Sequence, residues 1–134
     1  MRGIADTGFL VALSNSRDSH HKWAVRVAEQ ATEPLLTCEP VLAETAFHLR
    51  NVGLVLQMVA EQFLALSFDC NDHLPQLGAL AKTYQDRQPD LADLCLIRMS
   101  EIYPEHSVIT VDAGDFRVYR RNKREVIPLI CPPK

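Results

Sequence analysis

The stretch spanning residues 88–100, Gln-Pro-Asp-Leu-Ala-Asp-Leu-Cys-Leu-Ile-Arg-Met-Ser, constrains this chain more than any other. Placed on a helix, Leu91, Ala92, Leu94, Cys95, Leu96, Ile97, Met99 and Ile102 leave almost no polar face. A helix that is apolar nearly all round is a buried one. Asp93 nevertheless lies one turn below Leu96 and Ile97, on their side. A lone carboxylate in apolar surroundings is costly unless something pairs with it or it binds a metal. A plainer reading stands beside this one: Asp90 as N-cap and Asp93 at N3, where negative charge also suits the helix dipole. The choice turns on whether distant carboxylates reach the same end of the fold.

The rest of the chain alternates short apolar runs with helical patterns. Gly3-Ile4-Ala5 reads as a brief buried strand ending at Asp6, followed by a short helix through Phe9 to Leu13. Asp6 either caps that helix or presents its charge at the carboxyl end of a strand, where open α/β sheets place ligands. Trp23, Ala24, Val27 and Ala28 recur at helical spacing over residues 20–31, with Asp18 or Ser19 available as cap. Residues 34–38 form the second strand candidate. Pro40 then suits the first turn of a helix running to about Val52 and ended by Gly53. Glu44 falls on the flank of its apolar stripe, so a solvated glutamate and a functional one read equally well.

Residues 54–66 are expected to be an apolar helix, with Ser67-Phe68-Asp69 a short strand after it, and residues 73–84 another helix. Residues 107–111 (Ser-Val-Ile-Thr-Val) are the clearest strand, continuous as a strand buried on both faces would be. It ends in Asp112-Ala113-Gly114-Asp115-Phe116, which is also ordinary turn chemistry. Residues 126–130 supply a last strand. This alternation predicts an α/β fold, a three-layer α/β/α sandwich with a mostly parallel central sheet, in one domain spanning residues 1–134.

In such a sheet Asp6 and Asp112 share the carboxyl edge, and the starts of the helices carrying Glu44 and Asp93 return to it. Four segments thus bring Asp6, Glu44, Asp93 and Asp112 toward one cleft, with Asp90 or Asp115 nearby. Packed carboxylates without basic partners repel one another, and a divalent cation relieves them all at once. All-oxygen ligation suits Mg2+ or Mn2+ rather than zinc. No competing nucleophile motif or Gly-rich phosphate loop is present.

Four ordered motifs carry a family resemblance. Asp6-Thr7-Gly8-Phe9-Leu10-Val11-Ala12-Leu13, Val41-Leu42-Ala43-Glu44, Asp90-Leu91-Ala92-Asp93 and Ile109-Thr110-Val111-Asp112-Ala113-Gly114-Asp115-Phe116 together resemble the PIN domain. More narrowly, they are similar to the VapC-type ribonuclease toxins of toxin–antitoxin pairs. Asp18-x-x-His21 matches a loop-to-helix entry common in that family. Phe9 departs from a frequent proline, and Ala-Gly after Asp112 from a charged turn; neither removes an acid. The resemblance implies an Mg2+- or Mn2+-dependent endoribonuclease with an RNA substrate, a cognate antitoxin and a homodimeric state. Carried over by motif, Asp6, Glu44, Asp93 and Asp112 are the catalytic acids. Asp6, Asp93, Asp112 and Asp115 are the metal ligands, with Thr110 orienting a water or carboxylate and Asp90 chiefly capping.

The basic run Arg117, Arg120, Arg121, Lys123 and Arg124 is expected to meet RNA or an acidic antitoxin segment, or else to be a solvated face. Overall net charge is −3, so attraction to a polyanion has to come from that patch or from metal. Two other readings weigh against the nuclease. A phosphoaspartyl phosphatase built on Asp6 lacks the second acid two residues on, where Gly8 stands. A receiver-like cation-binding module lacks the lysine expected after a late strand. Four scattered cysteines without C-x-x-C spacing suggest reduced thiols, and Cys95 reads as a small hydrophobe. No run approaches the roughly 18 apolar residues of a membrane span. A soluble cytoplasmic protein is the expectation.

Overall fold

The computed structural model describes residues 1–133. Its central sheet has five parallel strands: β1 (Gly3–Ala5), β2 (Leu35–Thr37), β3 (Leu64–Leu66), β4 (Ser107–Ile109) and, numbered β7 by chain order, Leu129–Ile130. Their spatial order is β3-β2-β1-β4-β7. Ile4 stands between Leu36 and Val108, and Val108 faces Leu129 on its other side. Ile4, Ala5, Leu35, Val108 and Ile109 are completely buried, as strands covered on both faces require.

The connections place the helices. From β1 the chain runs through α1 (Thr7–Ser14) and α2 (His21–Glu29) to β2, then through α3 (Glu39–Leu49) and α4 (Val52–Ala60) to β3 at the sheet edge. It then returns across the sheet through α5 (Leu74–Thr83) and α6 (Leu91–Ile102) to β4 on the far side of β1. Right-handed crossovers in opposite directions put the two groups of helices on opposite faces. Accordingly α1 packs on α2 and α3, while α5 packs on α6. The expected α/β/α layering with a mostly parallel sheet is what the structure has. The chain leaves β1 toward one edge and β4 toward the other, so a crevice opens between their carboxyl ends.

Helix α6 is buried on nearly every side: Ala92, Leu94, Cys95, Leu96, Ile97, Met99 and Ser100 are all inaccessible or nearly so. Each large apolar side chain removed from water there stabilises the fold by about 1.5–3 kcal/mol. No helix among the described residues is long and apolar enough to cross a membrane.

Three boundaries differ from the sequence expectations. The apolar run 54–66 is not one helix. α4 stops at Ala60, Gln62 takes a left-handed φ of 64°, and the amides of Gln62 and Phe63 bond back to Val59 and Met58. The strand is therefore Leu64–Leu66, paired with Leu35–Thr37, and not residues 67–69. An apolar run satisfies helix and strand alike, and the open edge of β2 decided. α3 ends at Leu49 on a left-handed Arg50, before Gly53, and Asn51 caps α4. The last strand is split at Pro128, which has no amide to donate. Val126 lies in a two-residue strand, β6 (Glu125–Val126), antiparallel to β5 (Arg120–Arg121), and only Leu129–Ile130 joins the main sheet.

Candidate active site

Asp6 ends β1 and starts α1. Its amide continues the ladder to Ile109, and its Oδ1 accepts from the Thr7 amide at 2.7 Å, so it is the helix cap. Its Oδ2 accepts the Thr110 hydroxyl, also at 2.7 Å. Thr110 is fully buried just beyond β4, and its Oγ1 in turn accepts the Asp112 amide at 2.9 Å. Capping and presentation in the cleft therefore coexist in Asp6. The close approach of α1 to this strand end requires Gly8, where a Cβ would overlap the side chain of Val111.

Asp90 caps α6 through the Asp93 amide, 2.8 Å away. That leaves the Asp93 carboxylate in the first turn free to face the cleft, half-buried, with its Oδ2 accepting the Tyr119 hydroxyl at 3.2 Å. Asp112 opens the next helix, α7 (Ala113–Val118), but its side chain makes no capping bond. Glu44 arrives from the second turn of α3, half-buried rather than solvated.

These acids line one cleft of about 270 Å³. Asp6, Asp18, Glu44, Asp90, Asp93 and Asp112 face it together with Thr7, Gly8, Val11, Ala92 and Val111. Among the described residues no lysine or arginine lines it, and the side chains there able to carry positive charge are His20 and His48. The electrostatic result is that three of these acids, Asp6, Glu44 and Asp93, hold protons unusually well. Burial pushes Asp6 up to about 6, against the two hydrogen bonds it accepts and with help from Asp112 and Asp90. Burial and then the charge of Asp90 push Asp93 up to about 7, with Asp6 adding to this and Tyr119 opposing it. Glu44 is raised by burial and Asp90, with His48 pulling the other way.

A divalent cation suits this donor set. The available donors are carboxylate oxygens whose repulsion is opposed only in part, by His48 at Glu44 and by hydrogen bonds at Asp6 and Asp93. No three acid, His or Cys side chains among the described residues form a ready-made ligand cage. Magnesium needs none, since it is commonly bound through one or two carboxylates with water filling its octahedron.

Asp115 stands apart from the other sequence candidates. Its carboxylate is paired with Arg87 at 3.0 Å and does not line the cleft, although its charge still bears on Asp93. The basic run also separates. The Arg120 guanidinium is folded onto the carbonyls of Arg117, Val118 and Tyr119. That of Arg121 is spent on the Ser100 and Pro104 carbonyls at the end of α6 and on Glu125. Arg117, Lys123 and Arg124 remain exposed.

Sequence reasoning did not place Asp18, His20, His48, Tyr119 or Arg87 near the site. His48 was accessible in principle, one turn after Glu44 on the same helix face. Asp18 is held by an Asx turn to the His20 amide, and His21 fixes α2 to α1 by donating from Nδ1 to the Ala12 carbonyl at 2.8 Å. Nothing local marks Tyr119, whose ring is buried against Phe116 and Tyr84.

The chain matches the family model of the PIN domain over residues 4–122. Among solved structures it is similar to VapC20 of Mycobacterium tuberculosis, a sarcin–ricin loop cleaving toxin, with a TM-score of 0.69 and 18% identity. That likeness covers 78% of this chain and 85% of the other, and it bears on the fold. No curated protein matches the sequence. The family model runs from Ile4 in β1 through β5 and takes in all six cleft acids, and the chain belongs to the PIN-domain family.

Proposed function

We propose that this protein is a Mg2+- or Mn2+-dependent endoribonuclease and the toxin of a toxin–antitoxin pair. The observation that carries the reading is the pair Asp6 and Asp93: both face one cleft, both hold protons up to about pH 6–7, and no lysine or arginine among the described residues lines that cleft. Repulsion of this kind is a feature of sites where a charged ligand completes the structure.

In this reading Asp6, Asp93 and Asp112 hold the cation, which when bound neutralises phosphodiester charge and activates water. Thr110 fixes the rotamer of Asp6, and Tyr119 fixes that of Asp93. Glu44, with its raised proton affinity and a place in the same cleft, takes the proton from the attacking water. Asp90 keeps α6 capped so that Asp93 stays in register. Asp115 joins the site only by leaving Arg87. Hydrolysis then leaves 5′-phosphate and 3′-hydroxyl ends, as the family resemblance implies.

The exposed Arg117, Lys123 and Arg124 hold RNA backbone or an acidic antitoxin segment. A homodimer that covers the exposed apolar side chains Phe47, Val52 and Leu56 belongs to the same reading. The solved toxin VapC20 cleaves the sarcin–ricin loop, which makes structured ribosomal RNA a first substrate to test beside transfer RNA.

The test is incubation of purified protein with total RNA in magnesium, in manganese and in EDTA, beside Asp93→Asn. Discrete fragments that require metal and vanish in the variant are expected. Metal binding with no cleavage under any condition would replace this reading with a cation-binding module.

A further inference from the structure

Cys38, Cys70 and Cys95 lie far apart in sequence and meet in the fold. Sγ of Cys70 is 3.4 Å from Sγ of Cys95, and Cys38 lies near enough to bear on the Cys95 thiol. Cys38 and Cys95 are completely buried. Cys70 is partly exposed at the first position of a single 3-10 turn, Cys70–His73, and opens onto a cavity of about 860 Å³ between that turn, the start of α3 and α6. The acidic cleft uses none of these thiols.

We propose that Cys70 and Cys95 are a peroxide-oxidisable dithiol, a modification site separate from the acidic cleft, which closes to an intramolecular disulfide. Hydrogen peroxide reaches Cys70 from the cavity. The Cys70 thiolate attacks one peroxide oxygen, the O–O bond breaks, and the product is a sulfenic acid and hydroxide, which takes up the thiol proton as water. The Cys95 sulfur then attacks the Cys70 sulfur and displaces hydroxide, which leaves as water with the Cys95 proton. Two thiols and one peroxide give one disulfide and two waters, and the two electrons lost by sulfur reduce the O–O bond.

The geometry determines which part moves. A disulfide bond is about 2.05 Å long, so the sulfurs must approach by roughly 1.4 Å. The turn holding Cys70 contains no buried residue, whereas α6 is enclosed by core. The turn yields, and α6 keeps its place. Burial pushes the Cys70 thiol up to about 11, so thiolate is scarce at neutral pH and the reaction is slow. Proximity to Cys95, rather than reactivity, confers selectivity. Cys131, partly exposed beside Arg117, is the competing thiol.

The experiment treats the full chain with excess hydrogen peroxide and reads intact mass, non-reduced peptide maps and thermal melting. The expected product has lost two hydrogens and yields a peptide pair joined through Cys70 and Cys95. It reverts with dithiothreitol and melts roughly 5–10 °C higher. Cys131→Ser should form the same link and Cys70→Ser none, with unchanged circular dichroism. In Cys95→Ala a dimedone adduct should accumulate on Cys70. A Cys38–Cys95 link, sulfinic acid on Cys70 without a link, chains joined only through Cys131, or an unchanged mass would each overturn the proposal.

Discussion

The hydroxyl of Tyr119, a side chain only 1% exposed, donates to Oδ2 of Asp93 across 3.2 Å. The two residues come from different segments, α6 and the chain after α7, and only the fold joins them. Burial first, and then the charge of Asp93, push the phenol above its ordinary range, so it stays a donor. Tyr119→Phe removes that donor and leaves the ring packing on Phe116 and Tyr84. A hydrogen bond to a charged group contributes about 1.5–3 kcal/mol. If that interaction is kept in the transition state, RNA cleavage should fall roughly 10- to 150-fold, and kinetics on the two proteins will measure it.

The proton affinities of Asp6 and Asp93 fix the sign of the pH dependence. Their ordinary value is 3.8, and in the fold they reach about 6 and about 7. Between pH 4 and pH 7 the unfolded chain therefore releases its protons first. Stability falls as pH rises through this window, by on the order of a few kcal/mol, and levels off above it. Magnesium binding opposes the loss, so millimolar Mg2+ should raise the melting temperature at pH 8 and leave it almost unchanged at pH 5. Cleavage should rise over the same window. Equal magnesium shifts at both pH values would remove these carboxylates from the metal site.

Asp93→Asn separates stability from activity. It replaces a carboxylate that burial and three neighbouring acids, Asp90, Asp6 and Asp115, disfavour by a neutral group of the same shape. Metal-free protein at pH 8 should become more stable, by roughly 1–2 kcal/mol, while RNA cleavage drops below detection. Urea denaturation and a cleavage assay on one preparation will show both.

Gly8 and Val111 form a steric pair at the mouth of the cleft. Gly8→Ala should destabilise by roughly 1–3 kcal/mol, as overpacking does. Val111→Ala in the same chain should recover most of that loss. A double-mutant cycle by chemical denaturation measures the coupling.

Two arginines of the basic run are expected to behave oppositely. Arg121 bonds the carbonyls that end α6, so Arg121→Ala should destabilise by roughly 1–3 kcal/mol. Arg124 is exposed, and Arg124→Ala should leave the melting temperature alone while weakening RNA binding and flattening its salt dependence. Melting curves and binding titrations at two salt concentrations suffice.

Much of this was legible in the sequence because its signals are local. The alternation of apolar runs and helical stripes gave the layering, and the cap pattern at Asp90 gave the start of α6. The four acid-bearing motifs pointed to one sheet edge because strand ends in a parallel sheet share it. The segment 54–66 was misdivided because Leu64–Leu66 is as apolar as α4. What made it a strand was the unpaired edge of Leu35–Thr37, which no local pattern records. Asp115 and Arg121 looked like their neighbours in sequence, and only long-range partners, Arg87 and Ser100, set them apart.

The sequence by itself determined which residue types each segment carries and most of its apolar face, since hydrophobic spacing and residue chemistry are properties of each segment alone, although Leu91 and Val52 on such faces are exposed. The tertiary structure decided which charges are left without a partner. Asp6 and Asp93 line one cleft that holds no arginine or lysine among the described residues, while Asp115 is paired with Arg87. The reason is physical: the cost of a buried charge depends on the dielectric and the charges around it, and those are set by elements distant in the chain.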